Sequence, residues 1–254
     1  MRARTLMYHD LSDSESGFSG KWADLYKIPE SGFITHLNAI AGAGLSGRIA
    51  SVESAPCADI PIFLTFDDGG ASALRIAELL SARRWCGHFF VTTGRVGKAG
   101  FLKTGEIRTI HSLGHVIGSH SVSHPTRMRA LNRAELDREW KDSVDALEQI
   151  LSAPVRTASV PGGFYSRTVG ESAADAGIRY LFYSEPVERV ESVKDCRVIG
   201  RYYIQRGTSA RQAAAFASGN WRACTAQRVG WNSRKLVKSV LGPGYMVVGR
   251  LLGR

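Results

Sequence analysis

Short runs of β-branched and aromatic residues alternate along the chain with amphipathic stretches of helical period. The apolar runs predict strands over 5–8, 48–52, 60–66, 87–91, 115–119, 155–160, 180–183 and 197–204. Helices are expected over 33–41, 71–83, 104–113, 133–152 and 166–176. Strands alternating with helices favour a parallel sheet with crossover helices, either an open doubly wound sheet or a closed barrel. In both, chemically active side chains gather at the carboxyl ends of the strands.

The helix over 133–152 is the most clearly marked element. Asn132 is placed to cap its first turn, and Glu135 follows three residues later, as in a capping box. One apolar stripe runs along it through Leu136, Trp140, Val144 and Leu147.

The composition indicates which broad class of protein this is, but it does not indicate a function. The 254 residues are 44% hydrophobic and 22% charged, which is typical of a globular protein. No apolar run reaches the ~18 residues of a membrane span. The net charge of +10 favours an anionic neighbour such as nucleic acid, an acidic membrane face or a phosphorylated substrate. Scattered cysteines predict free thiols in a reducing compartment, so a cytoplasmic location is expected.

Two carboxylates follow one of the predicted strands. The apolar run over 61–66 ends in Asp67 and Asp68, followed by two glycines. Adjacent carboxylates at the exit of a buried strand repel each other, and a bound cation or a proton-accepting role would relieve this. Asp-Asp-Gly is also common turn chemistry, and taken alone the turn is the simpler interpretation.

Histidines cluster in the middle of the chain, at positions 111, 115, 120 and 124. His120 ends a predicted strand and His124 follows four residues later. A strand end running into one helical turn would aim both imidazoles at one point, an arrangement suited to a divalent metal. His111 is expected to interact with a helix dipole, and His115 to be structural.

A third segment, Ser159-Val160-Pro161-Gly162-Gly163-Phe164, follows another predicted strand. Its glycines permit close approach of the backbone to a ligand. A simple strand-to-helix turn explains the segment equally well.

Together these segments resemble the polysaccharide deacetylases with a NodB homology domain, carbohydrate esterase family 4. The resemblance is carried, in the family's order, by Thr65-Phe66-Asp67-Asp68-Gly69, by Ser119-His120-Ser121-Val122-Ser123-His124-Pro125 and by Val160-Pro161-Gly162-Gly163. The opening Leu6-Met7-Tyr8-His9-Asp10 is similar to the start of bacterial members from exopolysaccharide clusters. The resemblance covers roughly residues 6 to 204.

The resemblance implies an α/β fold, a distorted (β/α) barrel with seven repeats over 1–205. The charge and apolar pattern of the remaining residues predicts a basic amphipathic extension over 206–254. It implies Asp67 as general base. Asp68, His120 and His124 would bind zinc or another divalent transition metal, which activates water and polarises the acetamide. The implied substrate-binding residues are Pro161, Gly162, Gly163 and Phe164, whose loop or the one over 69–71 would supply an oxyanion donor.

The implied activity is metal-dependent hydrolysis of the N-acetyl amide of an amino sugar, in a glycan or a lipid-linked saccharide. Two alternatives stay open. The same metal centre would serve a deformylase or deacylase of a lipid-linked amino sugar, and a degenerate member would bind glycan without turnover.

The chain departs from the family pattern at two places. Ser159 stands where many members have an arginine that orients the base, and Arg156 or Arg167 are candidate substitutes. The family's late histidine acid is also missing, since no histidine follows His124. His9, at the end of the first strand, is the candidate general acid; Asp67 returning its own proton is the alternative.

The carboxyl-terminal segment over 228–254 is basic and apolar at helical spacing. It is typical of an element lying on an anionic membrane, at the inner face for a cytoplasmic protein. Packing of its apolar side against the barrel is an equally good interpretation. A nucleic-acid partner is not expected, because interleaved aromatic residues and groove-reading motifs are lacking.

Overall fold

The computed structural model describes residues 1–13, 15–54 and 59–241, with side chains up to residue 233. The strands are β1 (Arg4–Tyr8), β2 (Ile62–Phe66), β3 (Gly87–Val91), β4 (Val116–Ser119), β5 (Thr157–Ser159), β6 (Tyr180–Phe182), β7 (Glu191–Val193), β8 (Cys196–Ile199) and β9 (Tyr202–Tyr203). The helices are α1 (Lys21–Asp24), α2 (Glu30–Gly42), α3 (Ala73–Ser81), α4 (Thr104–Ser112), α5 (Arg133–Leu151), α6 (Arg167–Asp175), α7 (Ala210–Ser218) and α8 (Trp221–Leu241).

All nine strands join one sheet in the order β7-β8-β6-β5-β4-β3-β2-β1-β9, and β7 alone pairs antiparallel. Only Gly200 and Arg201 separate β8 from β9. These two strands are therefore successive parts of one bent segment that pairs first with β6 and then with β1. The sheet thereby returns to its first strand, so the predicted distorted barrel with seven parallel strand positions is confirmed.

The bend at Gly200 depends on the absence of a side chain. A Cβ atom there would collide with the carbonyl oxygens of Glu185 and Val187. The Arg201 N–H, one residue later, donates to the Glu185 carbonyl at 2.9 Å. The bend lets a single segment change partner strand, and it places Arg201 inside the barrel.

Strand alternation sorts side chains between the barrel interior and the helical layer. On the helical side, Phe66 stacks on Phe89 with ring centroids 4.8 Å apart, and α2 covers this layer with Phe33. The interior holds a smaller apolar cluster: Ala3, Val52, Phe63, Phe90, Phe182 and Ile199. Phe63, Thr65 and Asp67 alternate along one face of β2 and its extension, so all three side chains lie on the interior side. The apolar cluster around Phe63 therefore lies below the acidic pair and is buried from solvent.

Most predicted elements are found within two or three residues, including α5, whose capping box of Asn132 and Glu135 is confirmed. The strand predicted over 48–52 is wrong. Ser46–Arg48 form a 3-10 turn, Ile49 makes only an isolated parallel bridge to Ile62 of β2, and the Val52 N–H donates to Nε2 of His88 at 2.9 Å. The strand predicted over 197–204 is divided by the bend into β8 and β9.

His115 is structural, as predicted. Its Nδ1 accepts from the Gly87 N–H at 3.1 Å, and its Nε2 lies 2.9 Å from the Ser81 hydroxyl. The His115 side chain therefore links the start of β3 to the end of α3 through these two contacts.

Beyond the last strand, α7 was not predicted, and it packs on α2 and β1 with Phe216 and Ala217 buried. Along the part of the chain that is described, no helix is both long and apolar enough to cross a membrane. Much of the basic segment over 228–254 lies outside the described residues, as does Cys57, so membrane contact and the boundary at 205 stay predictions. Cys86, Cys196 and Cys224 are free thiols.

Candidate active site

The acidic pair leaves the sheet beside the first strand. Tyr8 pairs with Phe66, and the Asp67 N–H donates to the Tyr8 carbonyl at 3.1 Å. His9 and Asp67, the next residues on each strand, therefore emerge side by side. The structure thus brings the predicted acid and the predicted base to the same end of the barrel, as parallel pairing requires.

Three residues with left-handed backbone cluster at this end: Asp68 with φ 78°, Ser121 with φ 63° and His124 with φ 57°. Non-glycine residues seldom adopt such angles, and the strain concentrates where function needs a particular side-chain direction. Glu139 of α5 holds the turn between the two histidines. Its carboxylate accepts from the N–H groups of Val122 and Ser123, each at 2.9 Å.

Asp68, His120 and His124 converge as predicted. Oδ1 of Asp68 lies 3.4 Å from Nε2 of His120 and 3.4 Å from Nε2 of His124. One potential ligand atom from each residue falls within 4.8 Å of the others. Burial alone raises the pKa of Asp68, but hydrogen bonds to the two imidazoles outweigh it and hold that pKa well below its usual value. The carboxylate is therefore ionised and available as a ligand.

The opposite edge of His120 is fixed by Ser159. Nδ1 of His120 lies 3.0 Å from the Ser159 carbonyl oxygen and 2.6 Å from its hydroxyl oxygen. Two acceptors at Nδ1 hold a proton on that nitrogen, so Nε2, which faces Asp68, is the atom that would bind a metal. One carboxylate oxygen and two imidazole nitrogens form a donor set that suits zinc with positions left open. The residues present therefore fit a divalent metal.

Asp67 does not join this ligand group. Its carboxylate pairs with the guanidinium of Arg201, Nη1 to Oδ1 at 2.6 Å and Nη2 to Oδ2 at 2.8 Å. The Ser159 hydroxyl adds a hydrogen bond to Oδ1 at 3.0 Å. Burial raises the pKa of Asp67, but the charge of Arg201, aided by His120, overcomes this and lowers the pKa below its usual value.

Arg201 is the residue that the sequence analysis missed. Arg156 and Arg167, the candidates for holding the base, are both exposed, and Arg167 pairs with Glu171 on the surface. Arg201 is fully buried, and besides Asp67 it contacts the Thr65 hydroxyl. It lies in the segment over 199–204 where the family's late histidine was sought. The sequence signal for it is an arginine flanked by apolar residues on both sides, at 198–199 and 202–204.

His9 faces the acidic pair from the first strand. Its ring lies 4.6 Å from that of Tyr26, and its Nδ1 is buried without a hydrogen-bond partner among the described residues. Burial lowers the pKa of His9, and the neighbouring Asp68 and Asp67 offset this only in part. The imidazole is therefore neutral at neutral pH and able to take up a proton.

The third motif forms a tight turn over Pro161–Gly163, with Gly162 at φ 62° and Gly163 at φ 70°. Of the four residues predicted to bind substrate, Gly162 lines the cavity that also contains Asp68, His120 and His124. Gly163 packs against Ser184 so closely that a Cβ would collide with it. The ring of Phe164 lies 5.4 Å from the guanidinium of Arg129.

An open cavity of about 440 Å³ contains these groups. Acidic and imidazole side chains form one part of its lining, and aromatic side chains form another. The lining includes His9, Phe18, Trp22, Tyr26, Asp67, Asp68, His120, His124, Gly162 and Trp231. Such a combination of a few convergent polar groups with aromatic walls is typical of a small-molecule or saccharide site.

The fold and site define an α/β barrel protein with an Asp-His-His group at the carboxyl ends of its strands. Residues 56–181 match the family described as polysaccharide deacetylase. A chitooligosaccharide deacetylase of Sinorhizobium fredii (strain NBRC 101917 / NGR234) is 27% identical over 126 residues, which cover 48% of this chain and 56% of that protein. The match thus spans little more than half of that relative. The segment over 56–181 belongs to the polysaccharide deacetylase family.

Solved structures share the fold. A polysaccharide deacetylase from Bacillus cereus superposes with a TM-score of 0.73 at 20% identity, covering 85% of this chain and 69% of that one. The Streptococcus pyogenes deacetylase PplD, solved in complex with acetate, gives a TM-score of 0.67 at 21% identity, covering 83% of this chain and 95% of that one. These likenesses extend well beyond the segment matched by sequence.

Proposed function

We propose that this protein is a metal-dependent hydrolase that removes the N-acetyl group from an amino sugar in a glycan or a lipid-linked saccharide. The observation that carries the proposal is the convergence of Asp68, His120 and His124 in one cavity beside an arginine-held carboxylate. The family supports the substrate class, as do the similarity to the Sinorhizobium chitooligosaccharide deacetylase and the acetate bound to the Streptococcus deacetylase.

Asp68, His120 and His124 would hold the metal. A divalent ion bound there supplies a Lewis acid that acidifies water and polarises the acetamide carbonyl. Ser159 and Glu139 contribute indirectly, since Ser159 orients His120 and Glu139 fixes the turn to His124. Rigid support of this kind governs how well a ligand set binds its ion.

Asp67 takes the proton of the attacking water. With both carboxylate oxygens held by Arg201, its orientation is fixed before substrate arrives. The same ion pair makes Asp67 a weaker base. A weak base accepts a proton efficiently only from a water molecule whose pKa has itself been lowered, and not from bulk water. Arg201 also compensates the buried negative charge that Asp67 would otherwise carry alone.

The departing amine needs a proton. His9 is neutral, and its buried Nδ1 has no hydrogen-bond partner among the described residues. A proton that it delivers must therefore be gained during the reaction, from the attacking water or through Asp67. Direct return of the proton from Asp67 is the alternative route. Either route leaves acetate and a free sugar amine, and the two differ in whether His9 is required.

The proposal is tested by acetate release from N-acetylated oligosaccharides, with formate release from N-formylated sugars measured in parallel. Asp67→Asn should abolish product formation, while the exposed Asp142→Asn on α5 should not. Release of formate without acetate would show that the same group of residues catalyses deformylation instead of deacetylation. Saccharide binding without either product would make the protein a non-catalytic glycan-binding member and overturn the proposal.

A further inference from the structure

The helix α8 is fixed to the barrel by one of its faces. The Gln227 side chain binds the backbone of Tyr203 twice: Oε1 accepts from the Tyr203 N–H at 3.1 Å, and Nε2 donates to the Tyr203 carbonyl at 2.9 Å. The ring of Trp231 lies 6.2 Å from that of Tyr203, and Cys224 is buried. These contacts cover the edge of β9 that ends the sheet, so they set the orientation of α8 on the barrel.

The opposite face of α8 is exposed and carries both apolar and basic side chains. Trp221 is 70% exposed and Val229 is 57% exposed. Arg222 and Arg228 are exposed beside them, and the guanidinium of Arg222 lies 5.4 Å from the Trp221 ring. Residues seven or eight positions apart lie on the same side of a helix, so these four side chains form one face.

The short helix α1 adds two exposed apolar side chains next to α8. They are Trp22 and, directly after the helix, Leu25. Leu25 shares one open cavity with Ala226, and Trp22 shares the active-site cavity with Trp231, so the two helices are neighbours. In the described part of the chain, four of the six exposed large apolar side chains therefore lie here. We define the α1–α8 surface as Trp22, Leu25, Trp221, Arg222, Arg228 and Val229.

The charge around this surface is positive. The sequence has no Asp or Glu after Asp195, and residues 206–254 contain nine Lys or Arg residues, against a net charge of +10 for the whole chain. Asp24, the acidic residue of α1, is paired with Lys27 at 3.5 Å. The arginines of α8 therefore have no carboxylate on their own helix to compensate them.

A bilayer with anionic headgroups fits this combination of groups. Indole rings are favoured at the level of the headgroups, and anionic lipids attract Lys and Arg side chains close to the surface. A helix held to the barrel by one face can lay its other face on such a bilayer. A nucleic acid would engage the arginines but would leave Val229 and Leu25 in water.

We propose that the α1–α8 surface docks this protein on an anionic membrane, and that the amino sugar it deacetylates is linked to a lipid. Trp22 and Trp231 line the cavity that contains Asp68, His120 and His124, so docking brings the mouth of that cavity next to the headgroups. The docking does not depend on catalysis, whereas the choice of a lipid-linked substrate rests on the proposed function.

Sedimentation with vesicles tests the docking. The wild-type protein should bind vesicles of phosphatidylcholine mixed with phosphatidylglycerol, and it should not bind phosphatidylcholine alone. Arg222→Gln/Arg228→Gln should weaken binding by roughly ten- to thirtyfold, because each cation near an anionic surface raises the binding constant about fivefold. Trp221→Ser/Val229→Ser keeps the charge and should also weaken binding, because it removes the apolar contact.

The matched control is Arg138→Gln/Lys141→Gln, which removes the same charge from the exposed face of α5. This helix packs on β4, and β3 and β2 separate β4 from β1. The control should bind as the wild-type protein does. Equal weakening by both charge variants would show that net charge alone attracts the protein, which would overturn the docking surface. Retention on duplex DNA without binding to the anionic vesicles would overturn it in favour of a nucleic acid.

Acetate release tests the substrate class. The substrates are a soluble glycoside of N-acetylglucosamine and the same sugar attached to a lipid anchor in the anionic vesicles. Arg222→Gln/Arg228→Gln should retain the wild-type rate on the soluble glycoside and lose most of the rate on the anchored sugar. An equal kcat/KM of the wild-type protein for both substrates would overturn the lipid-linked substrate. Vesicle binding with no acetate from either would overturn the proposed function and leave the docking standing.

Discussion

The guanidinium of Arg201 binds both carboxylate oxygens of Asp67 inside the barrel, with contacts of 2.6 and 2.8 Å. The two residues are 134 positions apart in the chain. They meet because the segment carrying β8 and β9 crosses from β6 to β1 directly beneath the acidic pair. The orientation of the proposed base therefore depends on closure of the barrel.

Removal of Arg201 should damage both stability and activity. Arg201→Met leaves the Asp67 carboxylate buried and uncompensated, which costs about 3–5 kcal/mol of unfolding free energy. The double variant Arg201→Met/Asp67→Asn should recover much of that stability and none of the activity. Arg201→Lys keeps the charge but loses the two-pronged contact, so it should fold and lose activity. Denaturant unfolding with acetate assays on all three variants measures this; a stable, active Arg201→Met would contradict it.

Ser159 links the base to a ligand, since its hydroxyl contacts both Asp67 and His120. Ser159→Ala should therefore weaken metal binding by about ten- to a hundredfold while the protein stays folded. Competition with a chromogenic chelator measures the affinity. Ser172→Ala, at an equally buried serine that donates to Asp137 at 2.5 Å, is the control and should leave affinity unchanged. Equal affinities of both variants would show that Ser159 only fills space.

His9 is the candidate donor to the leaving amine. His9→Ala should lower kcat by about a hundredfold or more, because an acid–base group contributes roughly that much. Metal content should be unchanged, since His9 is not among the converging ligands. His111→Ala, at the exposed end of α4, should behave as the wild-type protein does. If His9→Ala retained full kcat, Asp67 would return the proton itself.

Asp10 predicts a pH effect on stability. Burial raises its pKa from 3.8 to about 6, against the lowering effect of hydrogen bonds from Ser16 and Ser72. Between these values the folded protein holds a proton that the unfolded chain releases, so this group's contribution to stability falls as pH rises from about 4 to about 6. The loss amounts to about 3 kcal/mol at most.

Asp10→Asn does not titrate, so its unfolding free energy relative to the wild-type protein should increase by up to that amount between pH 4 and pH 7. Chemical denaturation of both proteins across the range measures the difference. A difference that is constant with pH would show that Asp10 does not carry this proton.

The sequence predicts those parts of the site that are local in the chain. Asp68 follows a buried strand, and His120 and His124 lie within one turn, so strand polarity alone brings them together. Arg201 could not be assigned, because its partner is decided by the bend at Gly200. The strand expected over 48–52 is cut short for a related reason: Ile49 bridges Ile62 at the start of β2, but β3 occupies the same edge of β2 from Leu64 onward and β1 occupies the other edge.

Elemental metal analysis of the purified protein beside His124→Ala tests the central claim most directly, with His111→Ala as control. The account predicts about one zinc or similar ion per chain in the wild-type and control proteins, and its loss from His124→Ala. Absence of metal from all three proteins, even after zinc addition and dialysis, would contradict the proposed metal-dependent hydrolase.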